Sequence, residues 1–428
     1  MLKLYHKITI AVTKAAERRI IMATDKISAM QREFLDWEFG AFFHFGIRTF
    51  YEGHKDWDMK PMDQKAFNPT ELDCEQWIKT VKEAGAKYAI LVTKHHDGFG
   101  LWPSKYTEYC VKNTPWKDGK GDVVREYVDA CRKYGLKVGL YYSPAQFETR
   151  STDADEYLNY FVNQLSELLT NYGKIDYIWF DGCGSDGIDY DKKKIIETIR
   201  TLQKDILIFN MWDPDTRWVG NERGFVPLPH YNRVDKLWGS ILSVDKDRLE
   251  KKLFLPAECD FKLREANWFY SDNDEHTRKS LNELLGLYYM SVGRGANFLI
   301  NIGPDRRGLL PKADCERILE FGKEIKRRFA NPIKPVKIEK KDNTVYIEFE
   351  KEVLLNTVVI KEDLDAENVV DDFKITADKY YNIDVYYGKT IGHKAICEFP
   401  HIMTKEIIIT LNQDAKQITN VLLYNTSK

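Results

Sequence analysis

The chain has 428 residues, with 64 Lys and Arg against 66 Asp and Glu and a formal net charge of -2. That balance excludes a global basic field for holding nucleic acid and an acidic solvating tail. Hydrophobic residues at 43%, with 25 Gly and 14 Pro, exclude disorder; the length suits two or three domains, or one large α/β barrel with an appendage. Aromatic residues make up 13% of the chain, a load that points to a large core and to rings lining a pocket.

Residues Met1–Ile21 are basic, and their Ile8–Val12 run is too short for a signal core or a membrane span. Residues 1–30 therefore read as an N-terminal extension. No later stretch reaches the length of a span, so the expectation is a cytoplasmic protein with no membrane partner and no nucleic acid partner. The seven cysteines are odd in number and contain no Cys-x-x-Cys, which argues against a disulfide framework and against zinc.

Short apolar runs then alternate with helical patterns. The predicted strands are Ala41–Gly46, Tyr88–His95, Lys137–Ser143, Tyr177–Asp181, Ile206–Trp212, Phe254–Cys259 and Asn297–Ile302. The predicted helices are Cys74–Ala84, Asp122–Tyr134, Asp155–Tyr172, Asp191–Lys204 and Lys279–Val292. This alternation implies βαβ units, a parallel sheet and a (β/α)8-like TIM-type barrel over residues 31–332. No Gly-x-Gly-x-x-Gly follows the first strand, which disfavours a dinucleotide fold. A Pro-punctuated linker at Asn331–Pro335 leads to seven short β-type runs without intervening helix, a small all-β sandwich over residues 333–428. No exposed aromatic stripe stands out in those runs, so this domain is expected to pack on the barrel.

In a parallel barrel the chemistry sits at the C-terminal ends of the strands. The fourth run ends Tyr177-Ile178-Trp179-Phe180-Asp181-Gly182, which places Asp181 at the mouth. A lone Asp-Gly is usually a turn, but two preceding aromatics and the strand-end position favour a catalytic carboxylate. The second run ends Lys94-His95-His96-Asp97, and the first carries His44, with His54, Asp56 and Trp57 soon after. Any one His is most simply structural. Together, without a Cys or His-Glu-x-x-His partner, they favour hydrogen bonding to a polyhydroxyl ligand over a metal. Adjacent His95 and His96 both reach a pocket only where the chain turns. Glu222, in Arg217-Trp218-Val219-Gly220-Asn221-Glu222, and Glu258, at the end of the sixth run, compete as general acid. Two carboxylates among His and Trp at a barrel mouth suit glycoside hydrolysis.

These motifs resemble those of glycoside hydrolase family 29, the α-L-fucosidases. The resemblance runs from about Trp37 to Arg307. It is carried by Phe43-His44-Phe45-Gly46, Lys94-His95-His96-Asp97-Gly98-Phe99, Leu101-Trp102-Pro103-Ser104, Gly121-Asp122-Val123-Val124, Tyr141-Tyr142-Ser143-Pro144, Trp179-Phe180-Asp181-Gly182 and Asn297-Phe298-Leu299-Ile300-Asn301-Ile302-Gly303-Pro304. It implies a retaining exo-glycosidase acting on fucosylated oligosaccharides or glycoconjugates, with no metal and no cofactor. Asp181 resembles the nucleophile. Glu222 resembles the acid/base of the branch that prefers α1,3/1,4-linked fucose. His44, His95 and His96 resemble histidines that bind fucose hydroxyls, Trp57 and Tyr142 resemble its aromatic contacts, and the resemblance implies that Trp268 closes the pocket near the fucose methyl. The chain departs from the family pattern at Ala145-Gln146-Phe147, at Asp56-Trp57 and over Val226–His230. The alternatives are a fucose-binding protein without turnover and a barrel glycosidase for a related sugar such as a β-D-galactoside.

Overall fold

The structure, a computed structural model, describes residues 26–53, 62–146, 154–185, 188, 190–239, 248–366, 368–378 and 380–427. Among them, eight strands form one parallel sheet in the spatial order β5-β4-β3-β2-β1-β10-β9-β6. They are β1 (Phe39–Phe43), β2 (Tyr88–Lys94), β3 (Lys137–Tyr142), β4 (Tyr177–Phe180), β5 (Leu207–Phe209), β6 (Arg217–Trp218), β9 (Ala257–Lys262) and β10 (Asn297–Asn301). A parallel bridge between Phe209 and Thr216 spans the remaining gap from β5 to β6, so the sheet curls into a nearly closed barrel. The intervening β7 (Arg233–Lys236) and β8 (Arg248–Phe254) form a separate antiparallel ribbon.

Strands β1, β2 and β4 are buried at every position, as expected of strands that face a barrel interior on one side and helices on the other. The surrounding helices start where short polar side chains can accept orphan N–H groups. Asp73 caps α2 (Cys74–Glu83), Asp122 caps α3 (Val123–Tyr134) and, after α4 (Ala154–Asn171), Asp191 caps α5 (Lys192–Leu202). Helix α1 (Ala29–Trp37) opens with a capping box of Ser28 and Gln31 and closes the N-terminal end of the barrel. Its Phe34 and Trp37 lie against Tyr88 and Tyr177, with Phe34–Tyr177 centroids 5.4 Å apart and Trp37–Tyr88 5.3 Å. Gly40 admits the Tyr88 ring: a Cβ there would come 2.3 Å from Tyr88 Cζ.

Two differences from the sequence reading bear on the site. The sixth predicted strand is displaced: the chain enters the barrel at 257–262 instead of 254–259. The two-residue β6 was not predicted. Its one turn of alternation is too short to carry a periodic signal.

Beyond α6 (Leu281–Ser291) and α7 (Lys312–Phe329), six strands form an antiparallel sheet: β11 (Lys337–Lys341), β12 (Thr344–Glu362), β13 (Phe373–Thr376), β14 (Asp384–Gly388), β15 (Ala395–Leu411) and β16 (Ile418–Tyr424). The long strands β12 (Thr344–Glu362) and β15 (Ala395–Leu411) pair through register shifts between Glu348 and Val353 and between Leu355 and Thr357. Both halves of β12 contribute to a single apolar core, through Val345 and Ile347 on one side of the shifts and Val358 and Ile360 on the other. The sheet docks on the barrel through the Ile396 N–H to Gly293 O bond of 3.0 Å and the Phe329–Tyr424 ring contact at 5.2 Å. Tyr380, Tyr381 and Tyr387 are open to solvent, but only Tyr387 lies in a strand. Among the described residues no helix is long and apolar enough to cross a membrane.

Candidate active site

The barrel interior is layered from floor to mouth. Tyr88 and Tyr177 lie over α1; above them Tyr141, Trp179 and Phe209 stack, with Trp179–Phe209 centroids 4.1 Å apart and Trp179–Tyr141 5.3 Å. Parallel registry of Tyr141 with Trp179 places Asp181, the next inward position just beyond the end of β4, at the mouth. Asp181 Oδ2 accepts a hydrogen bond from the Tyr141 hydroxyl at 2.9 Å, and Oδ1 accepts one from the Cys183 N–H at 2.8 Å. His96 Nε2 stands 3.5 Å from Oδ2, and the Asp181 side chain keeps 27% of its surface open. Burial alone would raise the Asp181 carboxyl. The His96 charge, the Cys183 N–H and the Tyr141 hydroxyl outweigh it and hold the carboxyl down at about 2.

His96 is fixed from its other nitrogen. Its Nδ1 lies 2.6 Å from Ser143 Oγ, whose own proton goes to the Ala145 carbonyl at 2.7 Å. Ser143 therefore accepts from Nδ1–H, and Nε2–H faces Asp181. Burial opposes a charge on this ring, but the Asp181 carboxylate prevails and pushes the imidazole up to about 9. The pair is an imidazolium and a carboxylate.

Strand β2 brings in both neighbouring histidines by an irregularity. Val92 pairs with Tyr141 and Lys94 with Tyr142, so Thr93 is an extra residue that inverts the alternation. Lys94 consequently points outward, 3.2 Å from Gln146 Oε1 and 4.3 Å above the Tyr142 ring, where burial lowers it to about 7. His95 points inward and lies parallel to Tyr141 at 5.7 Å. The chain then turns at Gly98, which has φ +84° and a would-be Cβ 2.6 Å from Gln146 Cδ. That turn delivers His96 to the same mouth and buries Asp97 against Arg48 at 3.4 Å. Among the described residues, His95 Nδ1 is buried without a hydrogen-bond partner, a polar atom suited to a ligand hydroxyl.

His44 completes the group. Asn301 Nδ2 donates to the Trp268 carbonyl at 2.7 Å, so its Oδ1, 2.8 Å from His44 Nδ1, accepts from that ring. Burial holds the imidazole neutral, down at about 3, and leaves Nε2 as an acceptor. Trp268 covers His44 at 4.9 Å, and Phe269 stands edge-on to His44 at 5.4 Å and to His95 at 5.2 Å. Trp268 and Phe269 thus supply an apolar wall beside three imidazoles.

The second carboxylate comes from the loop after β6. An antiparallel bridge from Arg223 to Phe261 ties this loop to β9, beside Lys262, whose Nζ lies 5.5 Å from the Trp268 ring centroid. Glu222 is exposed at this rim. Partial desolvation pushes its carboxyl up, the Asp181 charge adds to the rise, and Lys262 and Trp268 pull against it. One carboxylate held ionised beside one raised toward protonation is the division of labour an acid and a nucleophile require.

Two sequence expectations fall elsewhere, and one lies outside the described residues. Tyr142 is no sugar contact: it faces outward, and its hydroxyl donates to Gln164 Oε1 at 2.7 Å. Its neighbour Tyr141 faces the barrel interior instead, because adjacent residues of a strand face opposite sides. Glu258 lies near the floor of the barrel, where its carboxylate accepts from Tyr88 OH at 2.5 Å, Trp179 Nε1 at 2.9 Å and Tyr177 OH at 3.4 Å. Trp57, like His54 and Asp56, lies outside the described residues. Sequence reasoning also missed Tyr141, Ser143, Asn301, Phe269 and the interior Asp260, which accepts from Trp218 Nε1 at 2.5 Å. The period-2 alternation of Glu258, Asp260 and Lys262 was the available signal for the last. Among the described residues no cluster of three His, Cys, Asp or Glu side chains fits a metal ion.

The fold and site define a class: a (β/α) barrel with an ionised aspartate, a raised glutamate and three histidines at its mouth. The family model for α-L-fucosidase matches residues 8–328. The chain is 35% identical to Alpha-L-fucosidase 1 of Arabidopsis thaliana over 310 residues, 69% of this chain and 60% of that one. Tissue alpha-L-fucosidase of Bos taurus is 27% identical over 310 residues, 65% of this chain and 58% of that one. A glycoside hydrolase 29 family member from an unknown rumen bacterium superposes with TM-score 0.83 at 33% identity, covering 94% of this chain and 77% of that one. A Ruminococcus gnavus GH29 fucosidase in complex with fucose gives TM-score 0.79 at 26% identity, covering 94% and 95%. The chain spans between 52% and 60% of the length of the curated relatives it matches. It belongs to the α-L-fucosidase family, glycoside hydrolase family 29.

Proposed function

We propose that the protein is a retaining exo-α-L-fucosidase that removes terminal fucose from glycans by double displacement. The observation that supports this most is Asp181, ionised between His96 and Tyr141 yet open to the mouth, in a chain of this family. Asp181 Oδ attacks the anomeric carbon as the C–O bond to the leaving group breaks, and the leaving oxygen takes the proton of Glu222. Ionised Glu222 then removes a proton from water, whose oxygen attacks the same carbon and frees Asp181. The two carboxylates balance every proton and bond, so the reaction needs no cofactor.

His44, His95 and His96 bind the ring hydroxyls, and Trp268 and Phe269 cover the deoxy-sugar methyl. Residues 31–332 carry this chemistry, and the sandwich of residues 333–428 braces the barrel. The substrates are fucosylated oligosaccharides or glycoconjugates with α1,3/1,4-linked fucose, a preference supported by the likeness of the Arg217–Glu222 segment to that branch. A cytoplasmic location is part of this reading, supported by seven free cysteines.

An aryl-glycoside panel tests the reading. The protein is expected to hydrolyse the α-L-fucoside and leave the β-D-galactoside. Thermal stabilisation by fucose without product release would overturn it in favour of a binding protein. In Glu222→Ala, hydrolysis of poor leaving groups is expected to suffer most, with recovery by azide. The same behaviour from Glu258→Ala instead would remove Glu222 from the role.

A further inference from the structure

One large aromatic at the mouth is not used by the fucose site. Trp238 is 54% exposed, beside an otherwise well-covered set of rings. It sits between the two loops that carry the carboxylates. On one side, a Cβ on Gly182, the residue after Asp181, would come 2.1 Å from the Gly239 carbonyl oxygen. On the other, a Cβ on Gly220, two residues before Glu222, would come 3.0 Å from Trp238 Cδ1. Only glycine permits both approaches without displacing the backbone or the indole.

The placement is also locked from below. Asn210 Nδ2 donates to the Trp238 carbonyl at 2.7 Å, and Asn210 Oδ1 accepts from the Trp218 N–H at 3.2 Å, which ties the Trp238 backbone to β6. Lys236 Nζ lies 4.2 Å from the Trp238 ring centroid. An indole buried for stability would hide its rings. Here the backbone is anchored, the ring is backed by a cation, and over half the side-chain-bearing residue stays open.

We propose that Trp238, with Lys236 beside it, is the platform for the leaving-group sugar and so a specificity-determining residue. This rests on the fucosidase reading. The acid must stand next to the leaving oxygen, so the departing sugar lies on the Glu222 side of the mouth, where Trp238 is. The ligand chemistry is a pyranose with one apolar C–H face, such as a galactose or N-acetylglucosamine unit. That face stacks on the open side of the indole, opposite the Lys236 ammonium.

The test compares a substrate that has a leaving sugar with one that has none. Wild type, Trp238→Ala and Trp238→Phe are assayed on α-L-fucosyl fluoride, on an α1,3-fucosylated N-acetyllactosamine trisaccharide and on α1,2-fucosylated lactose. In Trp238→Ala, kcat/KM on the cleaved trisaccharide is expected to fall about 10- to 100-fold, the effect of removing one aromatic anchor, while turnover of the fluoride holds. Trp238→Phe retains most of the trisaccharide activity. Equal losses on fluoride and trisaccharide, or no loss on either, overturn the platform. A wild type that cleaves the fluoride but neither trisaccharide also overturns it, because no sugar is then seated. A wild type inactive on the fluoride overturns the fucosidase reading itself and the platform with it.

Discussion

The mouth and the floor of the same barrel each hold a carboxylate, and the two are driven in opposite directions. Asp181 at the mouth and Glu258 at the floor both accept hydrogen bonds from tyrosine, and desolvation raises both. Asp181 nevertheless sits at about 2 and Glu258 at about 7. The difference is the partner. Asp181 faces the His96 imidazolium, whereas the donors to Glu258 are the neutral Tyr88, Trp179 and Tyr177. Hydrogen bonds from neutral donors do not offset the loss of water around a buried carboxylate; a fixed positive charge does. The first arrangement suits the proposed nucleophile, and the second leaves an acid that ties the stack of rings together.

Removing each element of this contrast in turn gives a graded set of outcomes. Asp181→Ala is expected to lower turnover of an aryl α-L-fucoside by about 10⁴-fold or more, with fucose binding retained by calorimetry. Near-normal turnover would take the nucleophile role away from this residue. His96→Gln removes the charge and keeps a polar side chain, so kcat is expected to drop about 100-fold. Its pH–rate profile carries the sharper signature. Without the imidazolium the Asp181 carboxyl rises, and the acidic limb moves to higher pH. A loss of activity with an unmoved acidic limb would mean that His96 serves only the sugar.

Tyr141→Phe deletes one of the three groups that hold Asp181 but keeps the ring stacked on Trp179. A fall of about 10-fold, the weight of one hydrogen bond to a charged group, is expected, with a smaller shift of the same limb. Glu258→Gln should change turnover least and stability most. The Glu258 carboxyl rises from 4.5 to about 7 on folding, so the folded chain holds a proton the unfolded chain releases. Its stabilising contribution is complete below pH 4.5, declines between 4.5 and about 7, and levels off above. The stability of wild type relative to Glu258→Gln is therefore expected to fall across that window, by up to about 3 kcal/mol, as read from urea unfolding at a series of pH values. A pH-independent difference would show that Glu258 is not raised.

The same contrast explains how far the amino-acid sequence could be read. Apolar strands between capped helices are strong local signals, so the barrel, the later sandwich and the mouth positions of Asp181 and His44 were legible. Facing was not. Tyr141 and Tyr142 are both buried, one inside the barrel and one against the helices, and a strand covered on both sides has no hydrophobic alternation to tell them apart. The extra residue Thr93 inverts the facing of Lys94 and His95 through backbone pairing with β3, which is a long-range fact. Glu258 looked like the polar end of an apolar run. It is instead an early interior position of a strand whose inward face is Glu258, Asp260 and Lys262, because this barrel interior is partly polar and hydrogen-bonded.

Under the proposed mechanism Asp181, and no other carboxylate of the barrel, attacks the sugar. Incubation with 2-deoxy-2-fluoro-α-L-fucosyl fluoride, whose fluorine slows release of the covalent intermediate, followed by peptide mass spectrometry, tests it directly. One fluorofucosyl group is expected on the peptide containing Asp181 and none in Asp181→Ala. A label on Glu222, Glu258 or Asp260, or turnover of the reagent through an uncharged route with no label at all, would contradict it.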